Sequence, residues 1–387
     1  MRGTTTRRIL ATRTLTARIL AVLVALLALQ LGSLVAPAYA CGCGAMVTNR
    51  MAQLGVDRET SVVRWDERAR VEQIVMRFTV HGDAEQAAWI MPVPHRADVS
   101  LGDPDLFGEL EGLTAPEHRD RDYFWPRGSD WPFSGGDGMA GAAPPGARGP
   151  GVGVVGRERL GPFDVARLTA TDPTALGDWL HRNGFELSDR LSGELRPYVE
   201  RKWEYVAVRL APEKAGEKLY GALDPIRIRF PNDRPVYPMR LSRLAKTPQS
   251  LGLYVVAGHR MEPRGAIGGA RPEVLFAGSV TPKREGELAR LAGPGPVFLT
   301  AVDQYFPEPA RIDGDHELVR TAADTPYRVI VWHDRLWTVA GGIPVWLLTA
   351  GGALLVLASA GLATARVRGG ATRAGTGAKR ALGRLSA

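Results

Sequence analysis

Cys41 and Cys43 are the two cysteines of a chain of 387 residues, and one glycine separates them. In an oxidising compartment such a pair forms a local bridge, strained and therefore reducible, or bonds to another molecule. Cys41 also follows Ala38-Tyr39-Ala40 directly, the place where a lipoprotein carries its acyl groups. Lipidation and disulfide formation at Cys41 and Cys43 both stay open. With no further cysteine, the folded part cannot depend on a disulfide framework.

Other residues gather oxygen and nitrogen atoms. Asp313, Asp315, His316 and Glu317 surround Gly314 and could ligate a hard cation, but they lack the EF-hand positions, so a solvated acidic turn is expected. The histidines include no His-Glu-x-x-His pairing, which removes the sequence basis for zinc, and no metal is expected. Gly151-Val152-Gly153-Val154-Val155-Gly156 matches the dinucleotide fingerprint by letter. It leaves a Gly-rich stretch, follows no strand and opens no helix, so no cofactor is expected. The Gly-x-Ser-x-Gly elbow is missing, although a dispersed Ser/His/Asp set is recognised by geometry alone. Tyr123, Phe124, Trp125, Trp131 and Phe133 form an aromatic segment broken by Pro and Gly. Such rings suit the anchors of a partner or glycan site, and the plainer expectation is that they fold back over a sheet.

The elements that position these groups begin with a leader. Five arginines precede the apolar run Ile19 to Leu29, and Ala38-Tyr39-Ala40 offers a small-x-small cleavage site, so residues 1–40 read as a signal peptide. Leu336 to Ala365 carries no charge, and 343–365 is long enough for a transmembrane helix. Trp337 and Trp346 near its outer end suit the headgroup layer. The basic tail 366–387 belongs to the cytoplasm by the positive-inside rule and attracts anionic lipid. The formal charge of +8 contains five arginines in the leader and six basic residues in the tail, so residues 41–342 carry a net −3. That balance argues against a nucleic-acid partner.

Between the membrane signals the patterning is mostly of period two. Ile74, Met76, Phe78 and Val80 alternate with Gln73, Arg77 and Thr79; Val206, Val208 and Leu210 with Tyr205 and Arg209; Ile226, Ile228 and Phe230 with Arg227 and Arg229; Tyr327, Val329 and Val331 with Arg328. These predict antiparallel sheets with one solvated face. Ala88 to Val93 is a shorter apolar strand. Asp172, Pro173, the stripe Leu176, Trp179, Leu180, and Gly184 punctuate one helix. A second is expected from Ser188 to about Tyr198, with Leu191 and Leu195 inward and Pro197 interrupting it. The Gly/Pro-rich stretch 126–153 reads as a flexible insertion between an N-terminal part, 41–125, and a C-terminal part, 154–335.

Several ordered motifs resemble one family. They are Ala40-Cys41-Gly42-Cys43-Gly44, the strand Ala88-Trp89-Ile90-Met91-Pro92-Val93-Pro94, Leu160-Gly161-Pro162-Phe163-Asp164-Val165, Ala175 to Leu180, Pro197-Tyr198-Val199, and Tyr205 to Val208. Together they are similar to the bacterial domain of unknown function 2330, from Cys41 to about Phe306. The resemblance implies an exported, often membrane-attached bacterial protein, and it brings no activity or catalytic residue.

The expected fold is therefore α+β, with a strand-dominated, mostly antiparallel ectodomain and one C-terminal transmembrane helix. The expected function is that of a single-pass type I membrane protein whose extracytoplasmic part is a binding or envelope-associated module. Its expected partners are membrane lipid and an envelope or glycan component. An extracytoplasmic hydrolase with a dispersed triad and a structural surface protein are the alternatives.

Overall fold

The computed structural model describes residues 39–41, 44–48, 54–131, 164–169, 173–210, 217–269 and 271–382. The leader up to residue 38, Cys43, Phe133, most of the 126–153 insertion and the 151–156 glycine motif lie outside them. The chain divides into two units, Met1–Pro116 with Gly156–Val329, and Glu117–Val155 with Ile330–Ala387.

Unit 1 is built on two packed sheets. The larger contains β3 (Leu54–Asp66), β4 (Val71–Gly82), β6 (Asp98–Leu101), β10 (Gly221–Ala222), β11 (Ile226–Pro231), β13 (Gln249–Ala257), β15 (Glu273–Val280), β16 (Val297–Phe306) and β18 (Tyr327–Arg328). Its order is β18-β15-β16-β13-β3-β4-β11-β6, with β10 also on β4. The smaller contains β1 (Tyr39–Cys41), β2 (Gly44–Thr48), β5 (Ala87–Val93), β8 (Asp164–Thr169) and β9 (Glu204–Leu210), in the order β1-β2-β5-β9-β8. Pairing in these two sheets is antiparallel except where β13 runs parallel to β3. A short ladder adds β12 (Val236–Tyr237), β14 (Met261–Pro263) and β17 (His316–Arg320), with β17 central.

Alternation along the strands sorts side chains into three cores. Ile74, Met76, Phe78 and Val80 of β4 share a buried cluster with Trp89, Met91, Val206 and Val208, which lies between the sheets. The opposite face of the smaller sheet, with Ala88, Ile90 and Ala207, is covered by α2 (Pro173–Arg182) and α3 (Asp189–Glu200) through Leu180, Leu191 and Leu195. The opposite face of the larger sheet, with Val62, Val75 and Leu299, is covered by α1 (Asp105–Thr114) and α4 (Glu287–Ala292). Unit 1 is thus layered helix, sheet, sheet, helix, and each fully buried Leu or Phe contributes about 1.5–3 kcal/mol.

This layering corrects one expectation. Tyr205 lies on the face of β9 that alternation assigned to water, yet it is buried under the helices. β5 is buried along its whole length for the same reason, as a strand covered on two faces must be. The helix expected from Ser188 is present, with the Ser188 hydroxyl accepting from Leu191 N at 3.2 Å. Pro197 sits inside it, and the helix runs on to Glu200. The run expected from Tyr327 to Val331 is divided, because β18 ends at Arg328 and the chain passes to the second unit at Ile330.

In unit 2, β7 (Glu117–Tyr123) runs parallel to β19 (Ile330–Leu336). A small hairpin of β20 (Thr338–Val339) and β21 (Ile343–Pro344) turns at Gly341 and Gly342, whose φ angles of 85° and 75° favour glycine. Helix α5 (Val345–Leu382) follows. Its segment Val345–Arg366 is long and apolar enough to cross a membrane, with a mean hydropathy of 1.9. Only 6% of that segment is buried, which distinguishes it from a core helix.

Candidate functional site

The turn from β3 to β4 begins a cleft. Asp66 Oδ1 accepts from Ala69 N at 3.0 Å, and Arg70 closes the turn with a left-handed φ of 52°. The Arg70 carbonyl accepts from Asn232 N at 2.9 Å, which stitches this turn to the segment after β11. There the Asn232 side-chain oxygen accepts from Asp233 N, and Leu318 N of β17 donates to the Pro235 carbonyl. The C-terminus of α3 supplies Arg201 and Trp203, and the end of β5 supplies Pro94 and His95. Together these segments enclose about 980 Å³, the size of a small-ligand pocket.

The walls are charged, with two indoles among them. Trp65 is nearly buried, and Trp203 is half-buried with the Tyr198 ring 5.1 Å away. Three ion pairs form in the cleft: Arg70 with Asp233 at 3.2 Å, Arg264 with Glu317 at 2.9 Å and Arg201 with Asp315 at 3.6 Å. Arg234 and Arg320 also line it, against Glu67 as the remaining acid. Arg320 additionally feels Asp324.

Beneath the wall lies Glu72, fully buried. Its carboxyl accepts from Asn232 Nδ2 at 2.7 Å and from Val236 N at 3.2 Å. Burial nevertheless pushes its pKa up to about 8, because desolvation of the anion outweighs those two donors. Both donors belong to residues that line the cleft.

The solvated acidic turn expected around Gly314 is not what forms. The Asp315 side chain is 7% exposed, and its Oδ1 accepts from Tyr198 Oη at 2.6 Å, Met239 N at 2.9 Å and Arg240 N at 3.1 Å. The carboxylate is spent on holding α3 and the 3-10 turn Arg240–Leu244 together. His316 starts β17 facing inward, bonded to Gln304 Oε1 at 2.8 Å, and burial lowers its pKa to about 4. Glu317, one residue on, faces out toward Arg264. Asp313 contributes its backbone carbonyl to Arg240. Among the described residues no three or more His, Cys, Asp or Glu side chains gather as for a metal ion.

The aromatic segment lies in unit 2. Tyr123 ends β7, donates to Asp130 and carries the Arg127 guanidinium 4.5 Å from its ring centre. Phe124 and Trp125 meet edge to face, while Trp131 packs on Trp346 of α5 at 5.4 Å. Phe133 lies outside the described residues, as does Cys43. Cys41 pairs with Gly44 in the β1–β2 ladder. Among histidines, His259 faces Asp324 at 2.8 Å and His118 stacks on His333.

Sequence reasoning missed the cleft and Glu72. The available signal was a clustering of Arg with Trp in turn segments, at Trp65 to Arg70, Arg201 to Trp203 and Asn232 to Pro235.

A solved structure of baculovirus P35 aligns with 72% of this chain and 98% of its own, at 7% identity and a TM-score of 0.30, too low to support an argument about fold. No curated protein matches the sequence. A bacterial family described as "uncharacterized protein conserved in bacteria" matches residues 37–319, which include every residue of the cleft except Arg320. That match spans most of the chain, so the chain belongs to the DUF2330 family.

Proposed function

We propose that the chain is a membrane-anchored, extracytoplasmic binding module that takes an acidic glycan of the cell envelope in the arginine-lined cleft of unit 1. The observation that carries this reading is the presence in one concavity of five arginines against four acids, with Arg234 and Arg320 outside the three ion pairs and Arg320 also near Asp324, together with the Trp203 indole. Guanidinium groups take carboxylate or phosphate oxygens bidentately, and an indole face takes a sugar ring. The anchoring part rests on the apolar segment Val345–Arg366 and on the leader pattern, which together support a type I topology with the basic tail in the cytoplasm.

The test is calorimetric titration of full-length protein in detergent micelles with tetragalacturonate, against neutral maltotetraose. Binding of the acidic tetramer is expected, weakening with salt and falling about tenfold in Arg234→Ala or Arg320→Ala, the loss of one charge-assisted contact. Equal binding of the two sugars, or acidic binding untouched by either substitution, would refute the assignment.

A further inference from the structure

We infer that the loop after β7 is a second membrane contact, which inserts indoles into the lipid interface beside the head of α5. This rests on the membrane-anchored reading above. Two stretches more than two hundred residues apart in sequence meet there. Trp337 N donates to the Tyr123 carbonyl at 2.9 Å, and Val345 N to the Trp337 carbonyl at 2.9 Å. The Trp131 ring lies on Trp346, in the first turn of the apolar segment, with their planes at 58°. Trp125, Trp131 and Trp337 are nevertheless 64%, 46% and 48% exposed.

The loop is held in shape by polar contacts of its own. Asp130 accepts from Tyr123 Oη and from Arg127 N at 2.9 Å, and Arg127 covers the Tyr123 ring. Its exposed indoles are therefore presented on a fixed backbone, and they are not remnants of an unformed core. The ribbon leading to them is of opposite character. Arg121 pairs with Asp334 at 2.7 Å and Arg335 with Asp120 at 3.0 Å, so β7 and β19 belong in water. Along unit 2 the surface thus passes from charged ribbon to exposed indoles to the uncharged first part of α5, residues 345–365. That order matches water, headgroup layer and hydrocarbon, the layers in which these groups are most stable. Continuity with the apolar helix is what identifies lipid as the occupant.

The experiment uses the full-length chain reconstituted into phosphatidylcholine/phosphatidylglycerol vesicles whose lipids are brominated near the headgroup end or deep in the acyl chains. The emission lost in Trp125→Phe or Trp131→Phe isolates each indole. That component is expected to be at least halved by shallow bromine and much less affected by deep bromine. If the protein resists carbonate washing while both components stay unquenched, the loop is not in the interface and the inference falls, with the anchored reading intact. If carbonate strips the protein from the vesicles, the anchored reading falls and the inference goes with it.

Discussion

Tyr198 Oη donates to Asp315 Oδ1 across 2.6 Å, joining the helix layer of unit 1 to the loop ahead of β17. The same oxygen accepts from Met239 N and Arg240 N, so one atom holds three segments. Burial, and after it the neighbouring Asp315 carboxylate, hold the Tyr198 phenol in its protonated, donating form.

Removing members of this junction tests its worth. Tyr198→Phe leaves Asp315 two backbone donors and is expected to cost about 1.5–3 kcal/mol, the range for a hydrogen bond to a charged group. Asp315→Ala strands three donors and frees Arg201, and is expected to cost about 3–5 kcal/mol. Urea unfolding of the detergent-solubilised protein measures both. Equal losses in the two variants would show that the backbone donors find other acceptors.

Glu72 and His316 pull stability in opposite directions with pH. The native Glu72 carboxyl, with its pKa raised from 4.5 to about 8, keeps a proton that the unfolded chain releases, so stability falls as pH climbs between those values. The native His316 ring, with its pKa lowered from 6.5 to about 4, refuses a proton that the unfolded chain accepts, so stability falls as pH drops through that window. Each slope is on the order of 1 kcal/mol per pH unit. The two offset one another between pH 4.5 and 6.5, and from there to about 8 Glu72 acts alone. Urea midpoints are therefore expected to be level between pH 4.5 and 6.5 and to decline above that window. Glu72→Gln should abolish the decline, whereas His316→Gln should move its onset down toward pH 4.5. A Glu72→Gln protein with an unchanged decline would assign the effect to other groups.

Strands and helices were largely legible because each carries a local period, as with Ile226, Ile228 and Phe230, which point inward along β11 as alternation requires. Tyr205 was misplaced because alternation reports which residues share a face, and not whether a helix from elsewhere covers that face. The cleft was illegible for a related reason. Trp65, His95, Arg201, Arg234 and Arg320 lie at the ends of five separate segments, and only the sheet order brings those ends together. Asp315 was legible as an acid in a turn, but its three donors come from positions 198, 239 and 240, which no spacing rule connects to it.

Gly44 illustrates a motif whose reason is packing. β2 lies against β5, and a Cβ at Gly44 would stand 2.4 Å from the Ile90 carbonyl oxygen and 2.7 Å from Trp89 Nε1. The backbone carbonyl cannot swing aside, so Gly44→Ala is expected to cost about 1–3 kcal/mol through overpacking. Gly108, on the exposed side of α1 with open space around it, is the control. Gly108→Ala is expected to stabilise by about 0.5–1 kcal/mol, since alanine is the better helix former. Thermal unfolding that moves the same way in both variants would contradict the close approach of β2 to Trp89.

Leu355 decides whether α5 is the anchor. It lies in the middle of Val345–Arg366 and is 71% exposed, so a larger polar side chain there meets no protein atom that would oppose it. In water Leu355→Arg should be harmless to folding, since arginine is a good helix former. In hydrocarbon it costs about 2.5–3.5 kcal/mol at the centre of a span, enough to shift a marginal helix out of the bilayer. The contrast makes the variant diagnostic. Carbonate extraction of cell membranes is expected to release Leu355→Arg protein while wild type and Leu355→Ala stay in the pellet, with unit 1 unfolding at the same urea concentration in all three. Retention of the arginine variant equal to wild type would mean that α5 does not hold the chain in the membrane.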